Sequence, residues 1–278
     1  MEPLRIETYD LDLAGAIEDL LRRELTGSWL AAYVPQIFQI CDELIKNALK
    51  SNYKFLLLWS AIRDRLEQAH PEYGSTELDE WLREVFFSGE DRLLEQHLAR
   101  VADQSERIRA QVRRLLDLEN RYVRDGGLPA HDILEVDDRF ADSELRPLLE
   151  TKRLAHRLQI HAHFGIERSS DQLLVTIAND SPILQEDVER ISMVRSKFRA
   201  YQASGRQQEF FIENLDTSGG GHGLGYAIMD SILSEMNLDP ERSLYLIAAT
   251  RTMVLLVLPL KQDPADVDAT RSAVTSGV

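Results

Sequence analysis

Two short stretches carry residue types that could do chemistry together. The first, "CDELIKNALK" (residues 41–50), sets Glu43, Asn47 and Lys50 at i, i+4 and i+7. On a helix these three share one face. A carboxylate, an amide and an ammonium in line suit a magnesium nucleotide. The amide oxygen can ligate Mg²⁺, the ammonium can neutralise phosphate, and the carboxylate can act as base toward a hydroxyl, a water or an imidazole. A solvated helix face with routine i,i+4 pairs gives the same spacing. The second stretch, "TSGGGHGLGYAIMDSIL" (residues 217–233), has five glycines in its first nine residues and then turns into a helix-like apolar pattern. A helix N-terminus presents unpaired N–H groups and a positive dipole end. Gly219, Gly220, Gly221, Gly223 and Gly225 would let bare amides close on a phosphate there, with Ser218, His222 and Leu224 among them. Alone, the run fits a flexible hinge equally well. It has no Walker Gly-Lys-Ser/Thr, because Tyr226 follows Gly225, and the polar "RQQEFFIENLD" before it is not a buried strand.

Several elements must hold these stretches in place. Residues 1–11 contain a short alternating run suited to an edge strand, and residues 13–25 have helical spacing. A helix is predicted over residues 34–50, with Pro35 near its start and Ile37, Ile40, Leu44 and Ala48 facing the core. Residues 55–123 read mostly as helix. Leu94, Leu98, Val101, Ile108, Val112, Leu115 and Leu118 form a stripe suited to a helical hairpin or a dimer seam, ended by "DGGLP". After an acidic loop (130–143), "SELRPLLETKRLAHRL" returns to helix. "LQIHAHFGI" and "LLVTIAN" then read as a strand pair turned by "ERSSDQ". Residues 181–218 read as a polar, mobile connection holding one short helix, "EDVERISMVRSKF". "RSLYLIAAT" and "TMVLLVLPL" close the order as a hairpin. The tail from residue 263 lacks apolar content and reads as disordered.

Composition narrows the function classes. Over 278 residues the formal net charge is −15, so the chain has no global basic footprint for a nucleic-acid duplex. An anionic ligand would need a local site. The single cysteine, Cys41, excludes an intrachain disulfide, fits a reducing compartment and suits a buried apolar place on its helix. The start "MEPLRIETYD" has no apolar h-region, and no run approaches membrane-spanning length. A cytoplasmic protein without a membrane span is expected.

Four features in order resemble one family. "DELIKNALK" resembles the N box of the GHKL superfamily, which includes DNA gyrase B, the heat-shock chaperone ATPases, histidine kinases and mismatch-repair ATPases. "LLVTIANDSPIL" sits at the place of its G1 box, "GGGHGLGYAI" resembles the histidine-kinase form of its G2 box, and the hairpin ending in "VLPL" is similar to the last strands of a histidine-kinase catalytic domain. The resemblance covers residues 30–60 and 145–260. It implies an α+β fold of Bergerat type: a mixed, mostly antiparallel sheet covered by helices. Residues 61–149 would be a helical insertion between two parts of that domain, residues 1–60 and 150–262, ahead of the tail 263–278. It implies ATP and Mg²⁺ as ligands, Glu43 as general base, Asn47 as the Mg²⁺ ligand, Lys50 near the phosphates, and Ser218 to Gly225 as the triphosphate loop. The segment between Ile183 and Ser218 would be an ATP lid, with Lys197 and Arg199 as candidate cations. The implied activity is phosphoryl transfer to a protein partner or to the chain itself in bacterial signalling. The alternatives are a nucleotide-regulated switch similar to anti-sigma factors, a degenerate pseudo-kinase, and hydrolysis coupled to motion.

The chain departs from that pattern. The G1 aspartate is replaced by Asn179, and Ser181 and Ile183 stand where the two glycines are expected. Asn179 can accept one bond from an adenine amine without the strength of a carboxylate. Asp180 could serve only if the register slipped by one, which turns it to the other face. The insertion is long, and a second copy could dock on its stripe. No histidine precedes the N box as a phosphoacceptor; His97, on the long helix, is the remaining candidate. His161 and His163 alternate along a strand and read as structural, with no third metal ligand evident.

Overall fold

The computed structural model describes residues 3–87, 98, 99, 101–124, 144–214 and 224–261. Its centre is a five-stranded antiparallel sheet in the order β1-β2-β3-β5-β4, made of β1 (Leu4–Ile6), β2 (Ala162–Arg168), β3 (Gln172–Asn179), β4 (Leu244–Ala248) and β5 (Thr252–Pro259). Alternation in "QLLVTIAN" and "TMVLLVLP" puts Leu173, Val175, Ile177, Val254, Leu256 and Leu258 on one buried face. Onto that face pack α1 (Leu11–Leu25), the first half of α2 (Val34–Ala69) and, later in the chain, a helix over Leu224–Glu235. The α+β class is as expected, and all strand pairs among the described residues are antiparallel.

α1 begins where Asp10 caps it, its carboxylate accepting from the Leu13 amide at 2.8 Å. α2 corrects the sequence reading. The predicted break after Lys50 does not exist, and one helix of 36 residues runs on to Ala69. "SNY" holds no glycine or proline to stop it, and Tyr53, Phe55, Leu56 and Trp59 continue the buried stripe. The expected boundary at residue 61 therefore falls inside a helix.

The second half of α2 is the spine of a second core. Around it pack α3 (Ser75–Phe87), α4 (Ser105–Glu119) and α5 (Arg146–Leu158). The predicted continuous helix over the stripe is interrupted, because a 3₁₀ turn at Ala102–Gln104 precedes α4 and a π-helical segment, Asn120–Arg124, follows it. Val101, Ile108, Val112, Leu115 and Leu118 are buried against the chain's own helices, so these stripe residues have an intrachain partner. Leu94 and His97 lie outside the described residues.

The polar connection is more ordered than its composition suggests. It forms α6 (Gln185–Ala203) and α7 (Gln207–Asn214), and the expected helix after the glycine stretch is α8 (Leu224–Glu235). Phe198, Phe210 and Ala227 make a small core between them. Arg195 fixes α6 by a bidentate pair to the fully buried Asp230 on α8, both bonds at 2.9 Å, and also donates to the Leu244 and Pro240 carbonyls. The segment thus holds two helices, of 19 and 8 residues, where one short helix was expected. No helix among the described residues is long and apolar enough to cross a membrane.

Candidate functional site

A cavity of about 200 Å³ opens where α2, the end of β3, α6 and the start of α8 meet. Glu43, Asn47 and Lys50 form its α2 wall, Asn179 lies opposite, and Leu224 and Gly225 border it from α8. Segments more than a hundred residues apart in the chain thus meet at one hollow. The sequence-derived residues Ser218, Gly219, Gly220, Gly221, His222 and Gly223 lie outside the described residues.

Glu43 reaches across to α8. A Cβ placed on Gly225 would lie 2.3 Å from Glu43 Oε1, so only glycine fits there without moving the carboxylate. The carboxylate sits against the first turn of α8, the positive end of that helix dipole. Asn47 Nδ2 donates to Glu43 Oε1 at 3.3 Å, and this orients the Asn47 amide oxygen away from the glutamate. Burial raises the Glu43 pKa above the usual carboxylate value, against the opposing pull of Lys46, the Asn47 bond and Lys50. Lys50 moves the other way. Burial, then the Arg190 charge, lower its pKa, with Glu43 and Asp187 opposing.

Two further cations border the cavity that sequence reasoning missed, Lys54 on α2 and Arg190 on α6. Asp187 joins them, accepting from Lys54 Nζ and from Arg190 Nη2, each at 2.6 Å. Lys54 stands four residues after Lys50, so it extends the same face. Reading α2 as unbroken would have found it. The lid cations picked from sequence, Lys197 and Arg199, point elsewhere, to Asn214 and to Glu241.

At the sheet end the register is clear. Asn179 is buried, and its Nδ2 donates to the Ala48 carbonyl at 3.2 Å, which turns its Oδ1 away from that carbonyl. Asp180 does not border the cavity. It accepts from the His161 amide at 3.1 Å, pairs with His163 Nε2 at 2.9 Å and lies 3.7 Å from Arg251 Nη1. Asp180, the residue just past the end of β3, thus faces His163, while Asn179 borders the cavity. Ser181 is fully buried where the resemblance calls for glycine. It donates to Asn52 Oδ1 at 2.7 Å, and its carbonyl accepts from the Thr252 hydroxyl at 3.1 Å. Cys41 is buried, its thiol pushed up to about 12 chiefly by desolvation.

The arrangement offers a half-buried carboxylate with a raised pKa, a neutral amide oxygen, and cations at the rim. This set can bind a polyanion and take a proton beside it. No protein-family model matches this chain, and no curated protein matches it.

Proposed function

We propose that the cavity binds Mg-ATP and that the chain is a GHKL-type domain of Bergerat fold, most similar in its boxes to histidine-kinase catalytic domains. One observation carries the reading: Glu43, Asn47 and Lys50 share one hollow with Asn179 and with Gly225 at the start of α8. The antiparallel sheet packed under helices supports it further. Lys50 supplies positive charge for phosphates, Lys54 and Arg190 stand beside it paired to Asp187, and Asn179 Oδ1 is the acceptor available to an adenine amine.

The donor set fits magnesium. Mg²⁺ ordinarily takes one or two protein oxygens beside phosphates and water, and the Asn47 amide presents its oxygen once Nδ2 is held by Glu43. The ion would neutralise and orient phosphate oxygens there. Glu43 is the base of the reading: burial raises its affinity for a proton, and the Asn47 bond holds it at the cavity. The γ-phosphoryl passes to a side chain of a protein partner or of the chain itself, as part of a signalling relay. A second reading, nucleotide held as a switch without turnover, is favoured by Asn179 and Ser181, whose buried hydrogen bonds stand in the place of the aspartate and glycine.

The test is thermal unfolding with Mg-ATP, ADP and GTP. Ligand at 100 times its Kd adds about 2.7 kcal/mol of stability. A rise with adenine nucleotides and a smaller one with GTP is expected. Identical melting with and without every nucleotide would end the proposal. Incubation with γ-labelled ATP separates transfer from the switch reading.

A further inference from the structure

A second cavity, of about 330 Å³, is bordered by the same three residues. Glu43, Asn47 and Lys50 line both hollows, so this part of α2 is their common edge. The far wall of the second hollow comes from the inserted helices, through Leu116, Glu119 and Asn120 at the end of α4. Tyr9, from the segment after β1, and Leu49 complete its apolar part.

Two carboxylates border this hollow, and they differ. Glu119 is committed: it accepts from Tyr53 Oη at 2.6 Å and from Lys152 Nζ at 2.5 Å, deep in the second core. Among the described residues, the Glu43 carboxylate accepts from Asn47 alone. Lys46 is paired with Asp42 along its own helix. A neutral group entering between Leu116, Leu49 and Tyr9 would therefore find Glu43 as its proton acceptor.

We infer that this second hollow is the subsite of the phosphoryl acceptor, and that α4 of the insertion shapes it through Leu116 and Asn120. The inference rests on the Mg-ATP reading of the first cavity. The acceptor is a neutral O–H or N–H nucleophile. Its proton passes to the Glu43 carboxylate while its lone pair forms the bond to the γ-phosphorus. The bond from that phosphorus to the bridging oxygen breaks, and its electron pair leaves on ADP. The insertion is then part of the site, placed where it can select the acceptor.

The experiment fills the hollow from the insertion side in the full chain. Asn120 is exposed at the end of α4, so Asn120→Trp adds bulk without touching the core. Leu116→Trp, one helical turn earlier, fills the same wall independently. Each is assayed with γ-labelled Mg-ATP for consumption of label, and by the ATP-induced rise in melting temperature. The expected result is an unchanged rise in both variants and a fall in consumption of at least about tenfold in either of them. Label retained on protein identifies a side-chain acceptor, and label released as inorganic phosphate identifies water; each supports the subsite when the Trp variants suppress it. Wild-type consumption in both Trp variants, with the rise intact, overturns the subsite alone. So does a wild type that binds ATP and never consumes it. A wild type with no rise brings down the nucleotide reading, and the subsite with it.

Discussion

The two walls of the first cavity are built on opposite plans. On the α2 wall, Glu43 and Lys50 are ionisable groups half withdrawn from water, with pKa values moved toward each other. On the sheet wall, Asn179 and Thr252 are neutral and buried, the first bonded to the Ala48 carbonyl and the second to the carbonyl of Ser181, whose hydroxyl bonds to Asn52 on α2. Burying a charge costs free energy unless it is well paired, whereas a satisfied neutral network holds structure in place. The α2 wall therefore carries the groups that can exchange protons, and the sheet wall is held by satisfied neutral bonds. The contrast can be broken by exchanging the character of each wall in turn.

The largest effect is expected from Glu43→Gln. The amide keeps the shape and can still accept from Asn47, but it cannot take a proton. Consumption of γ-labelled ATP should drop by roughly 10²–10⁴ with nucleotide binding retained, measured by single-turnover assay beside a binding titration. Loss of binding as well would mean that Glu43 holds the nucleotide and is not its base.

How much of this contrast could be read from sequence follows from the range of each interaction. The α2 triad was legible because helical spacing alone aligns residues 43, 47 and 50. The strand pair was legible from alternation. Lys54 was missed because the helix was ended too early at a stretch with no stop signal. Arg190 and the Arg195–Asp230 clamp were missed for a different reason. α6 carries charges on most sides and little amphipathic period, and what orders it is a long-range ion pair to α8 that no local pattern announces. The fold of the inserted helices onto α2 was half legible. The stripe marked a buried face, and only tertiary contact decides whether that face meets its own chain or a copy.

A smaller and two-sided effect is expected on the sheet wall from Asn179→Asp. The substitution removes the 3.2 Å bond from Nδ2 to the Ala48 carbonyl and sets a carboxylate against that oxygen. Without nucleotide, stability should fall by about 1–3 kcal/mol in urea unfolding. With Mg-ATP the variant should gain more than the wild type does, because a carboxylate is the stronger acceptor for an adenine amine. Unchanged stability without nucleotide would show that this bond does not tie β3 to α2 and does not hold the sheet wall.

The finest test asks whether the α2 wall costs stability, as its plan implies. The pKa of Glu43 is raised in the fold from about 4.5, so the folded state binds its proton more tightly than the unfolded chain does. Its contribution to stability is complete below that value and is lost as pH rises through the raised folded value. Lys50, with a pKa lowered from 10.5, contributes fully above that value and loses its contribution as pH falls through the folded one. Above the raised Glu43 value and below the lowered Lys50 value, both groups are at their least favourable. Glu43→Gln removes the first term, together with the pull of Glu43 on Lys50. Its unfolding free energy should converge toward that of the wild type at the acid end and exceed it by a widening margin as pH climbs through the raised folded value, up to neutrality, in urea titrations read at each pH. Groups common to both proteins cancel in the difference. Parallel curves over that range would mean that Glu43 is as well solvated as any surface carboxylate, and the two walls would no longer differ in kind.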